Sequence, residues 1–187
     1  MSTESTKATI HRFHDAVDAG NLDGTVATNH NPLLRLVALG GMYLFIGQAI
    51  HMWIVHTLIH KTPFIVAWQY IASGVQGLSA FEGGNRTALL GVLFHLVISF
   101  VIAGVFILSA DRIPLLRRYI IPGALLYGIG VWIVMNKIVT PLSATPPIPD
   151  PTTRWLLEDI AEHLVFVGLP LGILVRRIIS IKNRNIH

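Results

Sequence analysis

The run ALLGVLFHLVISFVIAGVFILSA, residues 88–110, is twenty-three residues long and carries one histidine and no formal charge. A hydrocarbon core about 30 Å thick takes about 20 helical residues to cross. Lipid provides no partner for free backbone N–H and C=O groups, so a segment of this kind is helical. Working outward, Leu36 to Ile59 gives twenty-four further residues without a charge, and Tyr119 to Asn136 gives eighteen, extendable past Lys137 to Thr140. Trp155 to Val175 gives twenty-one, with acids confined to its first eight positions. The pattern predicts spans over 36–59, 88–110, 119–140 and 155–177. Together they make an all-α, integral membrane four-helix bundle, with a membrane domain over 33–180.

Composition agrees. Of 187 residues, 52% are hydrophobic and 13% charged, and the mean hydropathy is +0.61. A soluble domain carries roughly 25% charged residues, so this chain cannot clothe a water-facing surface of ordinary kind. The absence of cysteine excludes disulfides, thiolate metal sites and a cysteine nucleophile. The net charge of +4 does not point to nucleic acid, because the basic residues sit at the ends of apolar runs rather than on one face with stacking aromatics. No nucleophile elbow, P-loop or dinucleotide fingerprint is present, and GGNR at 83–86 reads as a loop before the second span.

Residues 64–81 have apolar positions at Phe64, Trp68, Ile71, Val75 and Leu78 on one helical stripe, with glutamines and serines elsewhere. This suits a helix lying in the interface or dipping part-way into it. Charge counting supports the assignment. With four spans, ten basic residues (in the N-terminal segment, the 111–118 loop and the tail) share one side against four on the other; with five, the split is six against eight. The positive-inside rule therefore favours four spans with both termini cytoplasmic.

The polar segment 1–31 has no signal-peptide h-region. Its IHRFHDAV stretch, 10–17, predicts a short surface helix. The loop PLSATPPIPDP, 141–151, with five prolines in eleven residues, predicts a stiff extended strap. The tail RRIISIKNRN, with residues 181–187 at its cytoplasmic end, reads as a lipid-headgroup anchor.

Polar groups inside a bilayer require a reason. His51, His95 and His163 each lie eight residues from the outer end of their span, about 12 Å deep at 1.5 Å per residue. Asn136 on the third span is shallower. Gly40, Leu44, Gly47 and His51 form one stripe with Gln48 beside it, and Gly91, His95, Ser99 and Ala103 form another; such small-residue faces pack against neighbouring helices. The expected polar cluster is His51, Gln48, His95, Asn136 and His163. Its outer acidic entrance is Glu158, Asp159 and Glu162, acids that equally complement the helix dipole while facing water. His56 and His60 belong at the outer rim. Gly168, Pro170 and Gly172 mark a kink in the fourth span.

Three readings of the cluster stay open. It serves as interhelical hydrogen-bond glue; it forms a proton or solute path, since histidine titrates in the useful range; or His51, His95 and His163 ligate a transition metal or haem. No HExxH or paired ExxH motif accompanies the last.

The blocks QYIASGVQGLSAFEGGNRTALLGVLFHLVISFVIAGVFILSA, LLYGIGVWIVMNKIVTPLSA and EHLVFVGLPLGILVRR, over roughly 69–177, resemble a family of small four-span bacterial inner-membrane proteins of unknown function. The resemblance implies an inner-membrane location and no assigned activity, with His95, Asn136 and His163 as the matching polar positions. The run RFHDAVDAGNLDGTVAT resembles the opening helix of SnoaL-like domains, and nothing after Pro32 continues it. The expected protein is thus a multi-pass inner-membrane protein without catalytic function. It is either an accessory subunit for a membrane partner or homo-oligomer, or a small-solute or proton handler. A metal- or haem-binding redox protein is the alternative.

Overall fold

Every apolar run identified above is helical, as the sequence reading expects. The computed structural model describes the backbone of residues 32–146 and 152–184, and the side chains of 33–146 and 152–177. The N-terminal segment 1–31 with its helix over 10–17, the strap residues 147–151 and the end of the tail lie outside the described residues. Among the described residues all regular structure is helical. Helix α1 spans Pro32–Met52, α2 Phe64–Gln76, α3 Gly84–Arg112, α4 Pro114–Arg118, α5 Ile120–Val134, α6 Thr140–Leu142, α7 Thr153–Glu162 and α8 Leu169–Arg184.

Leu33–Ile59, Gly84–Arg112 and Ile120–Leu142 are long and apolar enough to cross a membrane. The α7–α8 path differs. Between Glu162 and Arg176 only thirteen residues are free of charge, about 20 Å of helix. The Thr152 hydroxyl caps α7 by accepting from the Trp155 N–H at 3.2 Å.

Three helical paths widen into π-helix: Trp53–Ile59 after α1, Met135–Val139 after α5, and His163–Gly168 between α7 and α8. Two have a cause in the sequence. A proline ring clashes with the carbonyl four residues earlier and removes a donor, and Pro141 and Pro170 project back onto Lys137 and Phe166, each inside a π segment. The kink expected at Pro170 is therefore realised as a widened turn on its N-terminal side.

Glycines bring the helices together as antiparallel neighbours. A Cβ on Gly40 would stand 3.2 Å from the Ala103 Cβ and 3.3 Å from Leu171 Cδ2, and one on Gly47 would touch Phe166. Between α5 and the fourth path, backbone meets backbone: a Cβ on Gly128 would lie 2.6 Å from the His163 carbonyl oxygen, and one on Gly168 would run into the Ala124 carbonyl. Tyr127 on α5 donates its hydroxyl to the Ile102 carbonyl on α3 at 2.7 Å. Leu44, Ala103, Phe106, Ala124, Val167 and Leu171 fill the apolar core between these helices.

Helix α2 is too short to span. It packs on the first turns of α3, where a Cβ at Gly91 would run into the Trp68 carbonyl, and the Ala144 N–H donates to the Gly74 carbonyl at 2.9 Å. Gly77 closes it at φ +62°. The apolar stripe is only partly exposed. Trp68 is buried while Val75 and Leu78 are 67% and 72% exposed, and Gln69 and Ser73 are buried against the protein. The Gln69 side chain donates to the Gly84 carbonyl and Ser73 to the Tyr70 carbonyl, which satisfies both inside.

Candidate functional site

The backbone contact at Gly128 and Gly168 sets the geometry one turn away. With no Cβ between them, α5 lies close enough to the fourth path for its next inward side chains, Trp132 and Asn136, to reach Asp159. Trp132 donates Nε1–H to Asp159 Oδ2 at 2.7 Å, and Asn136 Nδ2 donates to the same oxygen at 3.1 Å. Asn136 also bonds the Trp132 carbonyl at 3.2 Å.

His163 begins the π segment. Its Nδ1 lies 2.8 Å from the Asp159 carbonyl oxygen and 3.7 Å from Asp159 Oδ1. A carbonyl oxygen only accepts, so Nδ1 bears the proton in this bond and Nε2 is left for another role. Three residues along from Asp159, Glu162 faces α1, where its Oε1 stands 3.3 Å from His51 Nδ1. His51 Nδ1 has no hydrogen-bond partner in this arrangement, and it can take a proton from Glu162 when Nε2 carries the ring hydrogen. The His51 ring stacks obliquely on Phe166 at 4.7 Å. Two imidazole–carboxylate pairs thus occupy a single helical turn, and all four side chains are between 12% and 22% exposed.

The acidic trio does not act as one entrance. Glu158 alone turns outward, accepting from Arg154 Nε at 2.7 Å, while Asp159 and Glu162 turn inward. The reason is helical phase: 158 lies 100° from 159, and only the latter meets α5. Of the three acids, Glu158 is the one turned fully to the outside, while Asp159 and Glu162 keep 18% and 22% of their side-chain surface exposed.

The three histidines do not form one cluster. His95 stands apart from the pairs, in an aromatic box with Phe45 at 5.6 Å and Trp68 at 5.7 Å, its Nε2 buried with no hydrogen-bond partner. Among the described residues no three His, Asp or Glu side chains form a group able to hold a metal ion. The expected His51, His95 and His163 ligand set is thus not assembled: the His95 ring meets Phe45, six residues along α1 from His51 and about 9 Å from it at 1.5 Å per residue, so the three rings do not share one level. Gln48 is buried three residues before His51 on α1. His56 and His60 are exposed, with ring centroids 6.3 Å apart, as a rim pair should be. Sequence reading missed Trp132, although its i,i+4 spacing from Asn136 places both on one face.

No protein-family model, curated protein or solved structure matches the chain.

Proposed function

We propose that this chain is a four-span bundle of the bacterial inner membrane, akin to the small family it resembles, and that it handles protons through the pairs Glu162–His51 and Asp159–His163. The fourth span is the α7–α8 path, and α2 is an interfacial cap at the periplasmic end. The arginine-rich end and both termini face the cytoplasm. The carrying observation is the placement of two carboxylates and two imidazoles within one turn, largely out of water. Ionisable groups held inside a membrane domain are costly and mark ion or proton routes, and π turns recur at such sites.

In this reading a proton held on the Glu162 carboxyl moves to His51 Nδ1. The O–H bond breaks, the N–H bond forms, and an imidazolium–carboxylate pair results. Asp159, fixed by Trp132 and Asn136, holds His163 in one orientation beside it. The same contacts also tie helices together at about 0.6–2 kcal/mol each, so the test has to separate transport from cohesion.

Proteoliposomes with an entrapped pH indicator, driven by a potassium diffusion potential, make that separation. The wild type should carry protons above the rate of empty vesicles. Glu162→Gln should lower the flux by at least about tenfold, the loss expected when a positioned proton donor is removed, while the melting temperature stays within a few degrees. Flux equal to empty vesicles, or equal in wild type and E162Q, overturns the proposal.

A further inference from the structure

The end of the molecule remote from the acid–imidazole pairs carries a second feature. Gly40, Ile107 and Leu171 meet at one level, with a Cβ on Gly40 falling 3.2 Å from Ile107 Cδ1 and 3.3 Å from Leu171 Cδ2. Five residues further toward the same end lie Arg35, Arg112 and Arg176, all about 7.5 Å beyond that level at 1.5 Å per residue. Gly172 packs on Ile121 and the Ile120 carbonyl, which brings Arg117 and Arg118, just before α5, to the same layer. Arg177 completes it.

Every one of these cations is arginine, and the layer holds one described acid, Asp111. That acid is taken up by Arg117, whose Nη2 is 3.5 Å from Asp111 Oδ1 and whose Nε donates to the Ala110 carbonyl. Arg118 rests over the Tyr119 ring at 5.4 Å. Among the described residues, Arg35, Arg112, Arg176 and Arg177 are exposed and have no carboxylate partner. The opposite end is mixed, with Lys61, Arg86, Lys137 and Arg154 among Glu82, Glu158, Asp159 and Glu162.

Exposed apolar side chains border the arginines: Leu34 at 66%, Leu115 at 67%, with Ile113 and Ile173 alongside. A guanidinium fork matches a phosphate oxygen pair, and the apolar border matches acyl chains rather than water. Adjacent helix axes lie about 8–10 Å apart, so arginines from neighbouring helices suit a headgroup with two linked phosphates.

We infer that this arginine collar is a binding site for a two-phosphate anionic phospholipid, of the diphosphatidylglycerol class. The inference rests on the membrane reading and not on proton handling; Asp159→Asn should leave lipid retention unchanged, so the two fail separately.

The test is native mass spectrometry of the full chain released from vesicles of phosphatidylcholine alone, with phosphatidylglycerol, or with diphosphatidylglycerol. The expected order of retention is diphosphatidylglycerol, then phosphatidylglycerol, then phosphatidylcholine, with about tenfold between first and last, as juxtamembrane cation clusters give. The variant R35Q/R112Q/R176Q should lose that preference, and K61Q/R86Q/K137Q, which removes as many charges at the other end, should keep it. Equal retention of all three lipids, equal loss in both triple variants, or full displacement by inorganic pyrophosphate overturns the site; the last would make it one for free anions. If R35Q/R112Q/R176Q loses its helical circular dichroism, the single variants decide, each expected to lower retention about threefold. No loss in any of them overturns the inference.

Discussion

Two layers of the same helices obey different rules. In the apolar layer of Leu44, Ala103, Phe106, Ala124 and Leu171 the helices are regular α, and small residues let side chains interlock. In the polar layer of His51, Trp132, Asn136, Asp159, Glu162 and His163, two of the helical paths have widened into π turns and the third does so two residues beyond His51. The contrast has a physical basis. Dispersion contacts tolerate small rotations, whereas a hydrogen bond such as Asn136 to Asp159 has to be aimed within a few tenths of an ångström. A π turn shifts the phase of every later side chain and re-aims it. The apolar layer supplies rigidity, and the polar layer uses that rigidity to hold charges in register.

The sharpest way to break this division is at the seam between the layers. Gly168→Leu forces a side chain against the Ala124 carbonyl and separates α5 from the fourth path. The cost should exceed about 3 kcal/mol, the upper range for overpacking, and the protein should lose its cooperative thermal transition in detergent. Gly130→Ala is the matched control. Nothing lies within 4 Å of a Cβ there, so stability should hold or rise by up to ~1 kcal/mol from helix propensity.

Within the apolar layer, Phe106 is fully buried and its ring lies 5.1 Å from that of Tyr127. Phe106→Ala should cost about 3 kcal/mol through the cavity it leaves, read as a fall in melting temperature, while proton flux per folded molecule is unchanged. In the polar layer Asp159→Ala strands Trp132 Nε1 and leaves Asn136 Nδ2 with the Trp132 carbonyl alone. It should cost about 2 kcal/mol, with Asp159→Asn recovering part because an amide oxygen still accepts. A red shift of tryptophan emission in D159A, absent in D159N, would locate the change at Trp132. Equal losses in D159A and D159N would show that the hydrogen bonds are not what stabilises this layer.

Much of this architecture is legible before any coordinates. The three long apolar helices fall within a few residues of the runs that predict them, and the Phe64–Phe81 stretch is a separate short helix. Counting rise puts His51, His95 and His163 at one level; His51 does meet Glu162 and Phe166 beside His163, but the His95 ring meets Phe45 instead. What escapes counting is phase. A period of 3.6 puts Gly128 and Asn136 about 80° apart, yet both serve the same partner path, because Asn136 sits in a π segment where that period no longer holds. The signal for two of the π segments was present as Pro141 and Pro170. The inward turn of Gln69 and Ser73 was not readable either, since their polarity is satisfied by backbone carbonyls that only the fold brings near.

His95 refines the comparison with the smallest effect. It lies level with Phe45, six residues along α1 from His51 and about 9 Å from it at 1.5 Å per residue, its neighbours are Phe45 and Trp68 rather than a carboxylate, and its Nε2 has no partner. By environment it belongs to the apolar layer. A phenyl ring of similar size in that box removes an unsatisfied buried nitrogen and keeps the stacking, so His95→Phe should leave the melting temperature unchanged or raise stability by up to about 1 kcal/mol. Proton flux should be unaltered. If H95F instead abolishes flux while the protein stays folded, the division drawn here is misplaced. Burial, not a carboxylate neighbour, would then be what makes a histidine of this protein functional, and the route would run through α3 as well as through α1 and the fourth path.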